Sequence, residues 1–568
     1  MVPGFRKLAA IATVSITVAL CAGASASEVP AGATFEAAWV ESADGTMLQT
    51  DIFRPATAGP DDRTPVIVIT GPYFGVGSTV TDPNRPKILE NYVDLFRVAF
   101  AHGYSIVQVS LRGYGASEGC PDLGGPGEAA DSRAAVTWAA SQPWSTGKVG
   151  TYGLSYDGYT QVMNLRDPPK ALRAAVMIGP ASDQHRDIYM NQVRYVRGAL
   201  VPAYYASLNL AGPIFAQPAP AAHIIPGLSS TNPLCLVEAL DTQLESANRD
   251  GSTPFWAARN HVPPKGTKLP VMLAQGFPDE SVHADQFLPI WRRLRGPRRA
   301  WFAQIPHVSP GASEETTPGS IGRTGFTEEV MAWFDRFLKG KRHATRGLPR
   351  VVAQEGSAGK WRAERRWPPR SRRWTLPIVP GPYLDTAGNK GEPGCFRLET
   401  GCPPGPSGVG TWTISEPLAH RAHMAGLPRV RVRLSASAQT VHVVTLLYDI
   451  DPQNQASLIS RGARRVTSAG PQRITLYPQD WRLRKGHRVG LLLSGADDGW
   501  LEPGPSGTPV NVLGGRLQVP LMPCRRGAPI EGGPSDLVEQ RIKFPVVADL
   551  PSRTSPSRRA PAYLKRHC

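Results

Sequence analysis

Acyl transfer by a hydroxyl nucleophile needs three side chains: a serine, a base to take its proton, and an acid to orient that base. In one widespread layout the serine occupies a Gly-x-Ser-x-Gly turn between a strand and a helix, where small neighbours permit a strained backbone. Two segments of this sequence compete for that description. Gly115-Ala116-Ser117-Glu118-Gly119 is the literal match, but Cys120-Pro121 follows it and starts no helix. Gly153-Leu154-Ser155-Tyr156-Asp157-Gly158 directly follows an apolar strand and leads into a helical stretch at 159–165, yet its fifth position is Asp157 instead of glycine. The pattern alone leaves both serines open, with the surrounding strand, turn and helix in favour of Ser155.

The acid and base should lie further along the chain, each just after a core strand, in the order Ser, Asp, His. Asp279 closes the strand expected at 271–275 through Gly276-Phe277-Pro278. Glu280 and Asp285 are its rivals, although Glu280 would point elsewhere and Asp285 belongs to the following helix. His307, in Ile305-Pro306-His307, follows the last expected core strand and is the histidine so placed.

Short β-branched runs alternating with helical periodicity must position these groups. Strands are expected at 66–70, 105–111, 148–152, 174–178, 271–275 and 299–305, mostly apolar throughout as in a buried parallel sheet. Helices are expected at 128–141, 283–294 and 326–339. Together they predict an α/β domain over residues 27–346, with a cap inserted at about 183–268 beside the strand ends where such folds bind ligands. From 347 to 550 period-two alternation replaces helical periodicity, as in Arg429-Val430-Arg431-Val432-Arg433-Leu434. That predicts an antiparallel, jelly-roll-like β-sandwich with these arginines on its wet face. Residues 551–568 read as a basic tail, expected to be poorly ordered.

The stretch 138–158, WAASQPWSTGKVGTYGLSYDG, resembles the nucleophile region of the CocE/NonD hydrolases and the related Xaa-Pro dipeptidyl-peptidases of peptidase family S15, whose motif is Gly-x-Ser-Tyr-x-Gly. Gly71-Pro72-Tyr73, the run from Leu111 to Gly119 and the run from Trp333 to Gly340 resemble the same group, as do 447–451 and 486–491 in the β region. The likeness implies an α/β-hydrolase fold with a non-catalytic C-terminal β domain. It makes Ser155 the nucleophile, with Asp279 and His307 completing the triad. It also makes the Tyr156 backbone N–H and the Tyr73 hydroxyl the oxyanion donors. At the base the family usually has Gly-Pro-Trp-x-His, where this chain has Gln304-Ile305-Pro306-His307.

Two activities are compatible with the resemblance. A dipeptidyl-peptidase needs an acidic anchor for the substrate's free amine, for which Asp183, Asp187, Glu238, Asp241 and Glu245 in or beside the cap are candidates. A small-molecule ester hydrolase needs none. The related α-amino ester hydrolases use acids just past the triad aspartate, where this chain has Ser281 and Val282, which argues against that subclass. A third reading, of another class, is an exported binding protein with a relic site.

The chain of 568 residues exceeds the roughly 250–300 at which single cores stop growing, so two domains are expected. Arg6 and Lys7, an apolar run from Leu8 to Leu20 and Ala24-Ser25-Ala26 predict a secretory leader over residues 1–26, too short to span a bilayer. A secreted location follows, with no stable membrane insertion. Export would permit disulfides among Cys120, Cys235, Cys395, Cys402, Cys524 and Cys568; Cys395 and Cys402 are the nearest pair, and sequence does not fix the connectivity. A zinc site with His420 and His423 lacks ligand spacing, and no metal or organic cofactor is expected. The net charge of +17 is spread among scattered arginines without a nucleic-acid module, so the expected partner is a small ester or peptide substrate and not nucleic acid.

Overall fold

The computed structural model describes residues 26–28, 32–74, 87–89, 92–206, 208, 234–311, 321–385, 410–497, 500–502, 504, 506–522 and 527–543. The expected leader up to residue 25, the Cys395 and Cys402 pair and the C-terminal tail lie outside them.

Ten strands form the larger sheet: β1 (Ala33–Glu41), β2 (Met47–Pro55), β3 (Thr64–Gly71), β4 (Ser105–Ser110), β5 (Ser145–Leu154), β6 (Leu172–Ile178), β7 (Val271–Gly276), β8 (Arg298–Ala303), β9 (Val351–Gln354) and β10 (Trp361–Glu364). Their spatial order is β10-β9-β8-β7-β6-β5-β3-β4-β2-β1, parallel from β9 to β4 and antiparallel at both margins. The exchange of β3 and β4 marks a doubly wound sheet. All eight residues of β3 are buried, the burial expected of a strand with helices on both faces.

Helices α1 (Val93–Ala101), α2 (Pro126–Ser141) and α3 (Tyr156–Arg166) cover the first half of the sheet. The cap between β6 and β7 includes α4 (Gln184–Ile188), α5 (Leu234–Ser246) and α6 (Pro254–Ala258). The second half carries α7 (Phe287–Arg293) and α8 (Phe326–Leu338). The apolar stripe of α8, with Phe326, Val330, Phe334 and Leu338 buried, lies against the sheet. Its close approach requires Gly150 on β5, where a Cβ would stand 2.5 Å from the Phe334 ring. The helix expected at 283–294 is shorter and starts at Phe287. Pro289 supplies a reason: it falls in the first turn, where no N–H is needed, whereas a start at His283 would put it in the interior.

The chain beyond Gly347 first adds β9 and β10 to the larger sheet, so the hydrolase sheet extends past residue 346. The sandwich follows. One of its sheets contains β11 (Arg372–Ile378), β12 (Gly381–Leu384), β14 (Ala422–Gly426), β15 (Arg429–Ala436), β18 (Gly470–Thr475), β19 (Gln479–Leu483) and β21 (Pro509–Leu521). The other contains β13 (Thr411–Ile414), β16 (Val441–Ile450), β17 (Ala456–Val466) and β20 (Arg488–Ser494). Val430, Val432 and Leu434 alternate into their shared core while the intervening arginines face solvent.

Buried polar groups join the two domains. Asp480 on β19 receives both terminal nitrogens of Arg362 from β10, the Nη1 bond measuring 2.8 Å, and the Trp367 indole N–H at 3.2 Å. His423, considered above as a zinc ligand, also turns its Nε2 to Asp480. Burial pushes the Asp480 carboxyl up, but Arg362 and His423 outweigh it and hold the group far below the usual carboxylate range.

Candidate active site

Strand β5 ends at Leu154, and Ser155 caps α3 with φ +63° and ψ −123°. A positive φ is uncommon for a non-glycine residue and is the strain a nucleophile elbow requires. The Ser155 N–H donates to Ile178 O at 2.9 Å, pinning the turn to the end of β6. A Cβ on Gly153 would overlap the Asp157 carbonyl, and one on Gly158 would stand 3.0 Å from Ile178 O. The tight positions are therefore 153 and 158. Asp157 fits because its buried carboxylate passes beneath β3 at Gly71 and accepts a hydrogen bond from the Tyr92 hydroxyl.

Ser117 does different work. It is buried in a turn, its hydroxyl donating to Ser110 O at 2.8 Å and accepting from Gln49 N–H at 2.9 Å, so it ties the loop after β4 to β2.

Asp279 follows β7 as expected. Its Oδ1 accepts the backbone N–H groups of Ser281 and Val282, both at 2.9 Å, and its Oδ2 accepts Gln275 Nε2 at 3.1 Å. The same Oδ2 lies 2.8 Å from His307 Nδ1. Four contacts fix the carboxylate, and it fixes the imidazole. His307 Nε2 is buried with no hydrogen-bond partner among the described residues. Gly179, immediately after the carbonyl that holds Ser155, packs against this pair: a Cβ there would be 3.1 Å from His307 Cε1 and 3.2 Å from Asp279 Oδ2. Serine turn, acid and base thus converge on the end of β6. Glu280 points away to Arg461 of β17 at 2.6 Å, and Asp285 pairs with Arg186 at 2.7 Å from the turn preceding α7.

Tyr156 is the first residue of α3, where a backbone N–H has no intrahelical acceptor. Its phenol is buried and donates to Glu128 at 2.6 Å. Tyr73 follows β3, its hydroxyl 2.9 Å from that of Tyr205. Burial pushes the Tyr73 pKa far up, Tyr204 and Asp157 adding to the rise and hydrogen bonding to Tyr205 and Ser155 opposing it. The phenol therefore keeps its proton and can donate it in a hydrogen bond.

Tyr205 has no signal in the sequence beyond lying in a tyrosine-rich insertion. Its ring centroid lies 4.6 Å from that of Tyr156 with the planes tilted by 54°, bringing the cap over the elbow. The sandwich reaches the same region: Tyr477 bonds Tyr195 at 2.6 Å, and both rings stack on His283. Burial, with Arg461 and Arg197 nearby, keeps His283 well below its usual pKa and neutral.

The cap acids separate by environment. Glu238, Asp241 and Glu245 are exposed on α5, and Asp183 caps α4 while accepting from Asn260. Asp187 is buried, and its Oδ1 has no hydrogen-bond partner among the described residues. Burial pushes its carboxyl up to about 8; Arg197 opposes the rise, while Asp279 and Asp285 add to it. Arg197 also donates to the Ser281 hydroxyl. A disulfide between Cys120 and Cys235 ties α5 to the loop after β4.

Residues 44–309 match the X-Pro dipeptidyl-peptidase (S15) family, and residues 343–526 match the X-Pro dipeptidyl-peptidase C-terminal non-catalytic domain. The chain is a serine hydrolase that resembles the X-Pro dipeptidyl-peptidase group in both of its domains. A Streptomyces avermitilis protein assigned as an Xaa-Pro dipeptidyl-peptidase is 22% identical, with 96% of this chain and 91% of the relative covered. A Rhodococcus cocaine esterase is 23% identical over 57% of this chain and 58% of its own. In fold, a Staphylococcus aureus CocE/NonD family hydrolase superimposes with a TM-score of 0.65 at 14% identity, covering 86% of this chain and 97% of the other. An α-amino acid ester hydrolase gives 0.64 at 18% identity, covering 86% and 97%.

Proposed function

We propose that Ser155, His307 and Asp279 form a catalytic triad that hydrolyses an amide or ester bond through an acyl-enzyme. The observation that carries this reading is the 2.8 Å contact between His307 Nδ1 and Asp279 Oδ2, which leaves Nε2 buried and, among the described residues, unengaged beside a strained serine turn. In the mechanism, Ser155 Oγ attacks the substrate carbonyl as Nε2 takes its proton, and the oxyanion receives hydrogen bonds from the Tyr73 hydroxyl and the Tyr156 N–H. His307 then protonates the leaving amine or alcohol. Water, deprotonated by the same Nε2, releases the acid and regenerates Ser155.

The substrate class we favour is a peptide with a free N-terminus, as for the Xaa-Pro dipeptidyl-peptidases. Asp187 supports it: its buried carboxyl has an oxygen without a partner among the described residues and feels the charge of Asp279, and an ammonium group brought to it would hold it ionised against the burial that raises its pKa. Arg197 supports the second reading, a small acyl ester, because it already supplies positive charge next to Asp187. Both follow export in our reading, for which the Cys120–Cys235 disulfide is supporting chemistry. N-terminal sequencing of protein recovered outside the cells should begin at Ser27.

Gly-Pro and Ala-Pro p-nitroanilides, assayed beside p-nitrophenyl acetate and butyrate, decide between them. Prolyl release by the wild type, lost in Ser155→Ala together with fluorophosphonate labelling, is the expected result. Asp187→Asn should raise KM for the prolyl substrates about ten- to a hundredfold and leave KM for the esters unchanged. Ester turnover without prolyl release would establish the second reading, and labelling that persists in Ser155→Ala would overturn the triad.

A further inference from the structure

The register of β18, β15 and β21 in the larger sandwich sheet sets Arg473 opposite Arg431 and Arg431 opposite Arg516. Three arginines therefore form a row across three adjacent strands, spaced about 4.8 Å apart at the backbone. Arg429 and Arg433 stand on the same exposed face of β15, two residues to either side of Arg431. Arg373 on β11 faces the same way, opposite Pro520 and close enough to act electrostatically on Arg431. None of these six has an acidic partner among the described residues. The side chains interspersed with them, including Thr375, Pro471, Thr475 and Gln518, are uncharged.

Like charges placed directly opposite each other destabilise a sheet. A face that needs only to be wet is served better by mixed signs. This row instead presents guanidinium forks, whose planar geometry matches phosphate oxygens in pairs, with no internal acid to compete for them. The occupant must span several strands, because the face is a row of outward side chains and not a cleft. No aromatic side chain stands among the six for bases to stack upon, as single-stranded nucleic acid binding uses. Leu513 at the β21 bulge and Leu384 at the end of β12 are exposed large apolar residues of this sheet, and two scattered leucines offer little to a bilayer.

We propose that this face binds a linear phosphodiester polymer without bases, its phosphates bridging the Arg473, Arg431 and Arg516 row, so that the hydrolase is held on a polyanionic matrix with its active site free.

The test uses the whole mature protein and a synthetic oligomer of glycerol phosphate, with affinity measured against sodium chloride concentration. The triple variant Arg431→Gln, Arg473→Gln and Arg516→Gln should lose at least about tenfold in affinity and about two units of the salt slope. A control with the same charge loss elsewhere, Lys148→Gln, Lys170→Gln and Arg173→Gln, should stay within about twofold of wild type. Fluorophosphonate labelling of Ser155 should be equal in all three proteins, showing that each is folded. Should the triple variant fail that check, Arg431→Gln alone carries the test, with a smaller loss in the same direction. Equal loss in triple variant and control would overturn the proposal in favour of net charge. Unchanged affinity in a folded arginine variant, or tighter wild-type binding to single-stranded DNA or anionic vesicles than to the oligomer, would also overturn it.

Discussion

Gly71 ends β3 against the carboxylate of Asp157: a methyl group on Gly71 would overlap Asp157 Oδ1. The pair links the strand that precedes Tyr73 to the turn that carries Ser155, so a side chain at 71 must displace one or the other. Gly71→Ala is expected to fold and to lose about a hundredfold in kcat, the scale on which a misplacement of about 1 Å acts. Asp157→Gly, which removes the overlap partner, should restore most of that loss in the double variant. Steady-state kinetics on the four proteins measure the coupling directly. Additive losses would show that the two residues act separately.

Asp279 is held by two backbone N–H groups and Gln275 before it meets His307, so its geometry should survive a change that alters hydrogen-bond polarity. Asp279→Asn would offer Nδ1 an amide where it needs an acceptor and favour the wrong imidazole tautomer. The expected fall in kcat is about 10⁴-fold with an unchanged melting temperature, as in other triads. A loss below tenfold would show that His307 is oriented by another group.

Tyr73 and Tyr205 share one hydrogen bond at 2.9 Å, but only Tyr73 follows the strand adjoining the nucleophile strand. Tyr73→Phe removes a donor to the developing oxyanion and should lower kcat by about a hundred- to a thousandfold with little change in KM. Tyr205→Phe leaves the Tyr73 hydroxyl in place and should act mainly on KM through the cap. A reversal of the two profiles would transfer the donor role to Tyr205.

The sequence made the hydrolase sheet legible because its central strands are buried on both faces and read as apolar runs, β3 and β7 being examples. It was less informative at the margins. Strands β1 and β2 pair antiparallel, β1 with a half-exposed pattern, and β9 and β10 join a sheet whose other strands precede them by many residues. At the site, Asp279 and His307 were visible as strand-end residues in a fixed chain order. Asp157 looked like a defect in the serine motif because the compensating Gly71 lies on another strand, and no local pattern records that contact. Tyr205, Asp187 and Tyr477 become neighbours of the site only through the cap and the sandwich, contacts between segments far apart in the chain.

Asp480 is the buried acid on which the two domains meet, and it binds Arg362 through both terminal nitrogens. Removing it leaves the Arg362 charge buried with Glu364 as its remaining acidic partner, at 2.9 Å from Nε. Asp480→Asn should therefore destabilise the protein by about 3–5 kcal/mol at neutral pH, more than a surface pair would. The pH dependence has a definite sign. A carboxylate whose folded pKa is depressed contributes stability in full above its unfolded pKa of about 3.9, and loses it as pH falls toward the folded value. With His423→Gln in both proteins, so that no imidazole titrates against position 480, the gap in melting temperature caused by Asp480→Asn should stay constant from pH 7 to 5 and narrow in more acidic solution. A gap that widens there would mean that Asp480 is protonated in the native fold and that Arg362 is held by other groups.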